Sequence, residues 1–376
     1  MSWAIWITGI PGSGKSVLAR AAAAALAAAG EPVKVLELDE IRRTVTPAPR
    51  YTDAEREVVY RALVFMAAAL VDAGVPVIVD ATAHRRAWRD LARRTIPRFA
   101  EVQLDCPLEV ARRREQARTG GHAPRNIYAR AGRPGAAVPG VDVPYERALA
   151  PELVIDTAAE ETAVSAERIV RLARSLRPPG VLARPRPEPA RWVVWITGLP
   201  GSGKTTLAVG AARALAARGA PVRVLDAVGV RAFLLGGEPP GAPQDAEDLV
   251  HRALVCTARL LAEAGVGVIV DATSPRRAWR ELARREIGRF AEVQLVCSRD
   301  VCWSRERAGR WGLGAAPAAA HGGPPDVVLD YEPALSPELT LYTDVQAPWI
   351  SEAEVVRLLE RLERAAAAEG GIATAS

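Results

Sequence analysis

Two glycine-rich segments of the chain combine residue types and spacing suited to binding phosphate. Residues 9–16 and 198–205 both fit the pattern GxxxxGK[ST], and each follows an apolar run and opens a helical pattern. Glycines let backbone N–H groups converge on phosphate oxygens, and the N-terminus of the following helix adds partial positive charge. We therefore predict two nucleotide-binding loops, formed by Gly9, Pro11, Gly12, Ser13, Gly14, Lys15 and Ser16 and by Gly198, Gly201, Ser202, Gly203, Lys204 and Thr205.

The lysine and the hydroxyl residue that end each loop point to ATP and Mg²⁺ as cofactors. In loops of this kind the lysine reaches the β- and γ-phosphates, so Lys15 is a predicted catalytic residue. A later apolar run of each copy ends in an acid, in the place where such proteins hold the acid that organises the metal ion. We predict one Mg²⁺ site at Ser16 and Asp80 and a second at Thr205 and Asp271. The alternative role for Asp80 is a structural carboxylate that caps the next turn.

An acid and several arginines follow the first loop and suit an anionic acceptor. Asp39 comes directly after the second apolar run, where side chains face the ligand crevice of an open α/β sheet. It can accept a proton from an acceptor hydroxyl or hold Mg²⁺ through water. Arg42 lies one helical turn further on, and Arg56 and Arg61 follow in a helix that Thr52 is predicted to cap. We predict that these arginines bind substrate; the alternatives are a helix-capping Asp39 and surface ion pairs.

The segment from Thr119 to Pro144 is rich in Gly, Pro and Arg. Long irregular stretches of compact domains are often lids, and a kinase needs a lid to exclude water from the transferring phosphoryl group. Three arginines are candidates for bringing positive charge to that group, namely Arg114, Arg125 and Arg130.

The chain is an internal duplication. WITGIPGSGKSVLA returns as WITGLPGSGKTTLA, and the segments around VIVDAT, RFAEVQL and PEL recur at nearly constant spacing. In each copy, continuous apolar runs alternate with helical patterns, which indicates parallel strands with right-handed helical crossovers. We predict an α/β fold with two P-loop NTPase domains of the nucleotide-kinase type, each a parallel sheet sandwiched by helices. The strand candidates of the first copy are residues 3–8, 33–38, 75–80, 100–105 and 152–156, and residues 53–74 are a predicted helix.

A proline-dense stretch separates the two copies and forbids a helix interior. We predict a first kinase domain at residues 1–177, a linker at 178–191, a second kinase-like domain at 192–366 and a flexible tail at 367–376.

Composition excludes several classes of protein. The 49 basic and 44 acidic residues give a net charge of only +5 over 376 residues, and the arginines are interspersed with acids, which argues against a nucleic-acid partner. No apolar run approaches the ~18 residues of a membrane span, and the first residues lack the charged start of a signal peptide. The four cysteines form no CxxC pair, so we expect neither zinc nor disulfides and a cytoplasmic location.

Copy one resembles the adenylyl-sulfate kinase family. WITGIPGSGKS is similar to the family's opening strand and loop, and ELDEIR at residues 37–42 occupies the place of its D-G-D-N-x-R motif. Residues 51–61 resemble its F-S-x-x-D-R-x-x-N-x-R segment, and CPLEV at 106–110 matches its C/V-P-L-E-V. GVDVPYE with PEL, at 140–146 and 151–153, resembles its G-I-D-x-P-Y-E…P-E-L ending, the most family-specific stretch.

The resemblance implies that Asp39 is the catalytic acid and that Arg42 and Arg56 hold adenylyl sulfate, which is phosphorylated on its ribose 3′-hydroxyl with ATP and Mg²⁺. The sequence departs from the family pattern at Glu37, at Val59 and at VDATAHRR, and it lacks the F-T-G of the lid. These departures leave open a P-loop kinase that acts on another small-molecule or polynucleotide hydroxyl.

Copy two keeps its loop but differs on the acceptor side. Val228 stands in the place of Asp39, and Glu247 in the place of Arg56. We therefore predict one active copy and one degenerate copy that still binds nucleotide. A non-catalytic nucleotide-binding regulator is a further alternative, which Asp39 disfavours. Tandem copies of this kind suit either a pseudo-dimer within one chain or a homo-oligomer.

Overall fold

The computed structural model describes residues 2–122, 126–133, 136–177, 191–219, 222–236, 245–311 and 330–373. By their contacts the residues fall into two compact units, which divide between Glu188 and Pro189, except that a short segment from Phe233 groups with the first. The predicted linker lies almost entirely outside the described residues. Within the described part of the chain, no helix combines the length and apolarity needed to cross a bilayer.

The first unit alternates strands with helices, as predicted. Its strands are β1 (Ala4–Thr8), β2 (Lys34–Glu37), β3 (Val77–Asp80), β4 (Phe99–Asp105) and β5 (Leu153–Asp156). Its helices are α1 (Lys15–Ala28), α2 (Leu38–Val45), α3 (Asp53–Asp72), α4 (Arg86–Thr95), α5 (Leu108–Ala117) and α6 (Thr162–Ser175), with a 3-10 turn at Tyr128–Arg130.

The second unit repeats this order. Its strands are β6 (Val193–Thr197), β7 (Val222–Asp226), β8 (Gly267–Asp271), β9 (Phe290–Val296) and β10 (Leu339–Tyr342). Its helices are α7 (Lys204–Ala216), α8 (Ala227–Leu235), α9 (Ala246–Glu263), α10 (Arg277–Glu286), α11 (Arg299–Trp311) and α12 (Pro348–Ala373), and the last extends into the predicted tail.

Each unit is built on a five-stranded parallel sheet. The strand order is β2-β3-β1-β4-β5 in the first unit and, in the same sense, β7-β8-β6-β9-β10 in the second. The pairings recorded between neighbouring strands are parallel, so the carboxyl ends of the strands meet at one edge. This confirms the predicted α/β fold and brings the end of β1, where the phosphate loop starts, beside the end of β3, with the end of β2 next along the same edge.

Apolar residues of the strands and of the flanking helices form the core of each unit. In the first unit, Ile5 and Ile7 of β1 are fully buried against Leu18 and Leu26 of α1 and Ile169 of α6. Helix α3 begins where the sequence predicted, since Thr52 Oγ1 accepts a hydrogen bond from the backbone N–H of Glu55 at 3.2 Å. A hydroxyl cap of this kind contributes about 1 kcal/mol to helix stability.

The PYE and PEL segments, which carry much of the family resemblance, contact the end of β1 and helix α4. The hydroxyls of Tyr145 and Thr8 lie 2.9 Å apart, and Glu146 Oε2 accepts from the backbone N–H of Arg86 at 2.6 Å. Glu152 binds Arg93 through two hydrogen bonds of 2.5 and 2.8 Å. These residues therefore act as a frame around β1 and α4.

The second unit repeats that frame with the equivalent residues. The Tyr331 and Thr197 hydroxyls lie 3.1 Å apart, and Glu332 Oε2 accepts from the backbone N–H of Arg277 at 2.7 Å. In each unit a buried arginine also pairs with a buried glutamate of the neighbouring strand, Arg89 with Glu101 at 2.6 Å and Arg280 with Glu292 at 2.7 Å.

Candidate active site

The first phosphate loop runs from the end of β1 to the start of α1. Gly12 has φ of 76° and Gly14 has φ of 97°, conformations that favour glycine. A Cβ atom at Gly12 would collide with the backbone carbonyl of Ala111 in α5. The loop is therefore seated against α5 at a point where only glycine fits, with the N-terminus of α1 directed at its centre.

Lys15 lies over this loop. Its Nζ atom donates to the carbonyl oxygens of Gly9 and Ile10, at 3.1 Å each. Burial lowers the pKa of Lys15, while the carboxylates of Asp80 and Asp39 act in the opposite direction and raise it. The ammonium group of Lys15 thus interacts electrostatically with both predicted acids.

Asp80 ends β3 and lies beside the hydroxyl of Ser16. It pairs in register with Glu37 of β2 and Ile7 of β1, so it belongs to the carboxyl edge of the sheet. Burial raises the pKa of Asp80, and the positive charge of Lys15 and a hydrogen bond with Ser16 oppose that shift. The structure therefore brings together the two oxygen donors predicted to hold Mg²⁺, and hard oxygen ligands of this kind suit that ion.

The second phosphate loop has the same construction. A Cβ atom at Gly201 would collide with the carbonyl of Cys302, and Lys204 Nζ donates to the carbonyl of Leu199 at 3.0 Å. Thr205 Oγ1 donates to Asp271 Oδ2 at 2.5 Å. The two residues of the second predicted Mg²⁺ site are thus also in contact.

The predicted acceptor residues lie on α2 and α3. Asp39 is half-buried in the first turn of α2. Arg42 is buried, and its Nη1 atom lies 3.3 Å from Glu55 Oε1. Arg56 is also buried, which lowers its pKa, and its Nη2 atom donates to the carbonyl of Ala137 at 3.3 Å. Among the described residues, no carboxylate forms an ion pair with Arg56.

Arg61 is placed differently from the other two arginines. Its Nε atom donates to Glu57 Oε1, one turn away on α3, at 2.7 Å. A partly exposed ion pair of this spacing contributes little to stability. A substrate role for Arg61 remains a prediction.

Three aromatic residues that the sequence did not single out line the space between α3 and α4. Tyr60 stacks on Trp88 with ring centroids 4.0 Å apart, and His84 meets Trp88 edge-on at 5.1 Å. Trp88 Nε1 donates to Glu57 Oε2 at 2.6 Å. In the sequence, the only sign of these three contacting residues is the presence of aromatic residues in α3 and near the start of α4, which is also typical of an ordinary core.

His84 makes the stability of the first unit dependent on pH. Burial, followed by the charges of Arg56 and Arg85, lowers the pKa of His84 from 6.5 to about 4. The unfolded chain therefore binds the proton more readily, so stability is lost as pH falls from about 6.5 towards 4. We expect the free energy of unfolding of the wild type to fall by about 2 kcal/mol more than that of His84→Gln between pH 7 and pH 5. Denaturant unfolding of both proteins tests this, and parallel losses would contradict it.

A cavity of about 340 Å³ adjoins the first loop. It is lined by Gly14, Val17 and Leu18 on one side and on the other by Arg114, Thr157, Glu160, Glu161, Thr162 and Ser165. Arg114 is fixed there because its Nη2 atom donates to the carbonyl of Thr157 at 2.7 Å and its Nη1 atom to the Thr157 hydroxyl at 3.2 Å. Arg130 is exposed, and Arg125 lies outside the described residues.

Comparisons with known proteins identify the family of both units. A family model described as adenylylsulphate kinase matches residues 1–156 and 190–341, one segment in each unit. The chain is 38% identical over 158 residues to a probable adenylyl-sulfate kinase of Archaeoglobus fulgidus, covering 42% of this chain and 97% of that relative. It is 35% identical over 173 residues to an adenylyl-sulfate kinase of Synechococcus sp., covering 46% and 94%. Among solved structures, the Mycobacterium tuberculosis APS kinase CysC in complex with AMPPNP and APS is 31% identical and covers 46% of this chain and 99% of that one, with a TM-score of 0.39.

Proposed function

Because this chain belongs to the adenylylsulphate kinase family, we propose that its first unit phosphorylates the ribose 3′-hydroxyl of adenylyl sulfate with ATP. The products are ADP and 3′-phosphoadenylyl sulfate. The observation that carries this proposal is the convergence of Lys15, Asp80 and Asp39 at the carboxyl edge of the sheet, with Arg56 free of carboxylate partners among the described residues. Lys15 and Asp80, on the side that would hold the ATP triphosphate (the donor side), thus adjoin Asp39 and Arg56, on the side that would hold an anionic acceptor (the acceptor side).

The donor side positions the phosphates. Backbone N–H groups of the loop and the N-terminus of α1 face the phosphate oxygens, and Lys15 supplies a fixed positive charge near the transferring group. Magnesium bound at Ser16 and Asp80 would neutralise charge on the phosphates. The cavity beside Arg114 is of suitable size to take the base and ribose of the nucleotide.

The acceptor side supplies the proton acceptor. As the ribose 3′-oxygen attacks the γ-phosphorus, the bond from that phosphorus to the β–γ bridging oxygen breaks, and the hydroxyl proton passes to Asp39. Arg42 and Arg56 bind the phosphosulfate and hold the ribose in line. Arg42 is oriented by Glu55, so its guanidinium is preorganised for this contact.

We place the protein in the cytoplasm, which provides ATP and keeps thiols reduced. All four cysteines are free, and three of them are buried. Its partners on this proposal are small molecules, and the tandem units suit a pseudo-dimer or a homo-oligomer.

An assay of ADP formation tests the proposed function. Purified full-length protein would be given ATP and Mg²⁺ with and without adenylyl sulfate, and we expect the acceptor to raise the rate by at least about 100-fold, the range of general base and positioning effects. Robust ATP turnover that adenylyl sulfate fails to stimulate would assign the site to another hydroxyl acceptor. No turnover with a range of hydroxyl acceptors would favour a nucleotide-binding regulator.

A further inference from the structure

We propose that the second unit binds a magnesium–nucleoside triphosphate and holds it without transferring a phosphoryl group. This inference concerns a different site from the one proposed above and does not depend on the identity of the acceptor there. It follows from a division within the second unit, in which the donor side is retained and the acceptor side is replaced.

The donor side of the second unit matches that of the first in its contacts. Gly201 is seated on the carbonyl of Cys302 as Gly12 is on that of Ala111. Lys204 is buried, which lowers its pKa, and Asp271 opposes that shift. The Thr205 hydroxyl lies 2.5 Å from the Asp271 carboxylate, so the two oxygen donors for the metal are in place.

The proton acceptor is missing from the second unit. The position of Asp39 is taken by Val228, whose side chain is 51% exposed and has no basic group. The neighbouring Asp226 does not replace it, because its carboxylate accepts from the backbone N–H groups of Val228 and Gly229 at 3.1 and 2.9 Å. Asp226 therefore caps the first turn of α8.

The anion-binding charge is also reversed. The position of Arg56 is taken by Glu247, and Glu247 Oε1 lies 2.6 Å from Nε of Arg231, the equivalent of Arg42. An anionic acceptor would therefore meet a carboxylate where the first unit offers a guanidinium. The acceptor side of the second unit disfavours an anion, while a triphosphate on the donor side keeps its lysine and hydroxyl.

Nucleotide stoichiometry tests this proposal. Full-length protein would be dialysed to equilibrium against AMPPNP with Mg²⁺ and no acceptor. We expect two nucleotides per chain in the wild type and one in each of Lys15→Ala and Lys204→Ala, because losing the charged lysine contact weakens binding by about 10- to 100-fold. Lys15→Ala is further expected to retain its one nucleotide and to form no ADP in the assay with acceptor.

Three results would overturn the proposal. These are one nucleotide per chain in the wild type, an empty but folded Lys15→Ala protein, or continued ADP formation by Lys15→Ala with adenylyl sulfate. Thermal unfolding checks that each variant is folded. If Lys204→Ala does not fold, Thr205→Val keeps the side-chain volume and removes the metal donor. Its affinity for AMPPNP in the second unit should fall by about tenfold with Mg²⁺ and remain unchanged with EDTA, and equal affinities in Mg²⁺ would refute the metal contact.

Discussion

Asp39→Asn protein is expected to bind ATP as the wild type does and to form ADP from ATP and adenylyl sulfate about 10²- to 10⁴-fold more slowly. The amide has the shape of the carboxylate but cannot accept the hydroxyl proton, and a general base contributes a factor of this size. Because Asp39 also acts electrostatically on Lys15, the KM for ATP is expected to change by only a few-fold. Steady-state rates over a range of both substrates separate the two effects.

A matched control for this substitution lies on α4. Asp90 is half-exposed and 3.7 Å from Arg86, so Asp90→Asn removes the same charge away from the phosphate loop. Its rate should stay within about twofold of the wild type, as for most surface changes. Wild-type turnover by Asp39→Asn would rule out Asp39 as the proton acceptor. If Lys15→Ala were also active, transfer would have to be assigned to the second unit.

Arg56→Glu is expected to lower kcat/KM for adenylyl sulfate by about a thousandfold. The substitution places in the first unit the residue type that the second unit has at Glu247. It removes a charge-assisted contact of about 1.5–3 kcal/mol and adds repulsion of an anion, for a total of about 4 kcal/mol. We expect the KM for the acceptor to carry most of the loss and the KM for ATP to stay within a few-fold.

Arg94→Glu makes the same change of charge on an exposed position of α4. It tests whether long-range electrostatics alone explains the effect, and we expect less than a threefold change in kcat/KM at 0.15 M salt, where exposed charges are screened over about 8 Å. Equal losses in the two variants would show that Arg56 does not contact the acceptor.

The fold and the donor side of the site could be predicted from the sequence because both depend on local patterns. Apolar runs fixed the positions of β1 to β5, and the loop motif fixed Lys15 and Ser16 at the start of α1. Asp80 could be placed because the carboxyl ends of parallel strands meet at one edge of the sheet. As the last residue of its strand, Asp80 had to lie at that edge. The structure places Asp80 at this edge, where it interacts with Ser16, while its role in holding Mg²⁺ stays a prediction.

The acceptor side could not be predicted in the same detail because it depends on contacts between helices. The sequence indicated Arg42 and Arg56 but gave no sign that Glu55 orients the first and that Ala137 meets the second. The stack of Tyr60 on Trp88 joins α3 to α4, and its spacing in the sequence is that of any buried pair. Side-chain pairings across elements are set by packing, and periodicity does not encode them.

The residues that form the frame of the PYE and PEL segments are different from the residues proposed to carry out phosphoryl transfer. Tyr145 and Tyr331 make the same contact in the two units, whereas the positions of Asp39 and Arg56 have diverged. Substitutions at the acceptor positions therefore need not destabilise the fold. The second unit already carries such substitutions and keeps the same fold. The second unit can therefore guide redesign of the first unit towards a new acceptor. Positions that differ between the two units are the ones to change, and the residues of the shared frame should be kept.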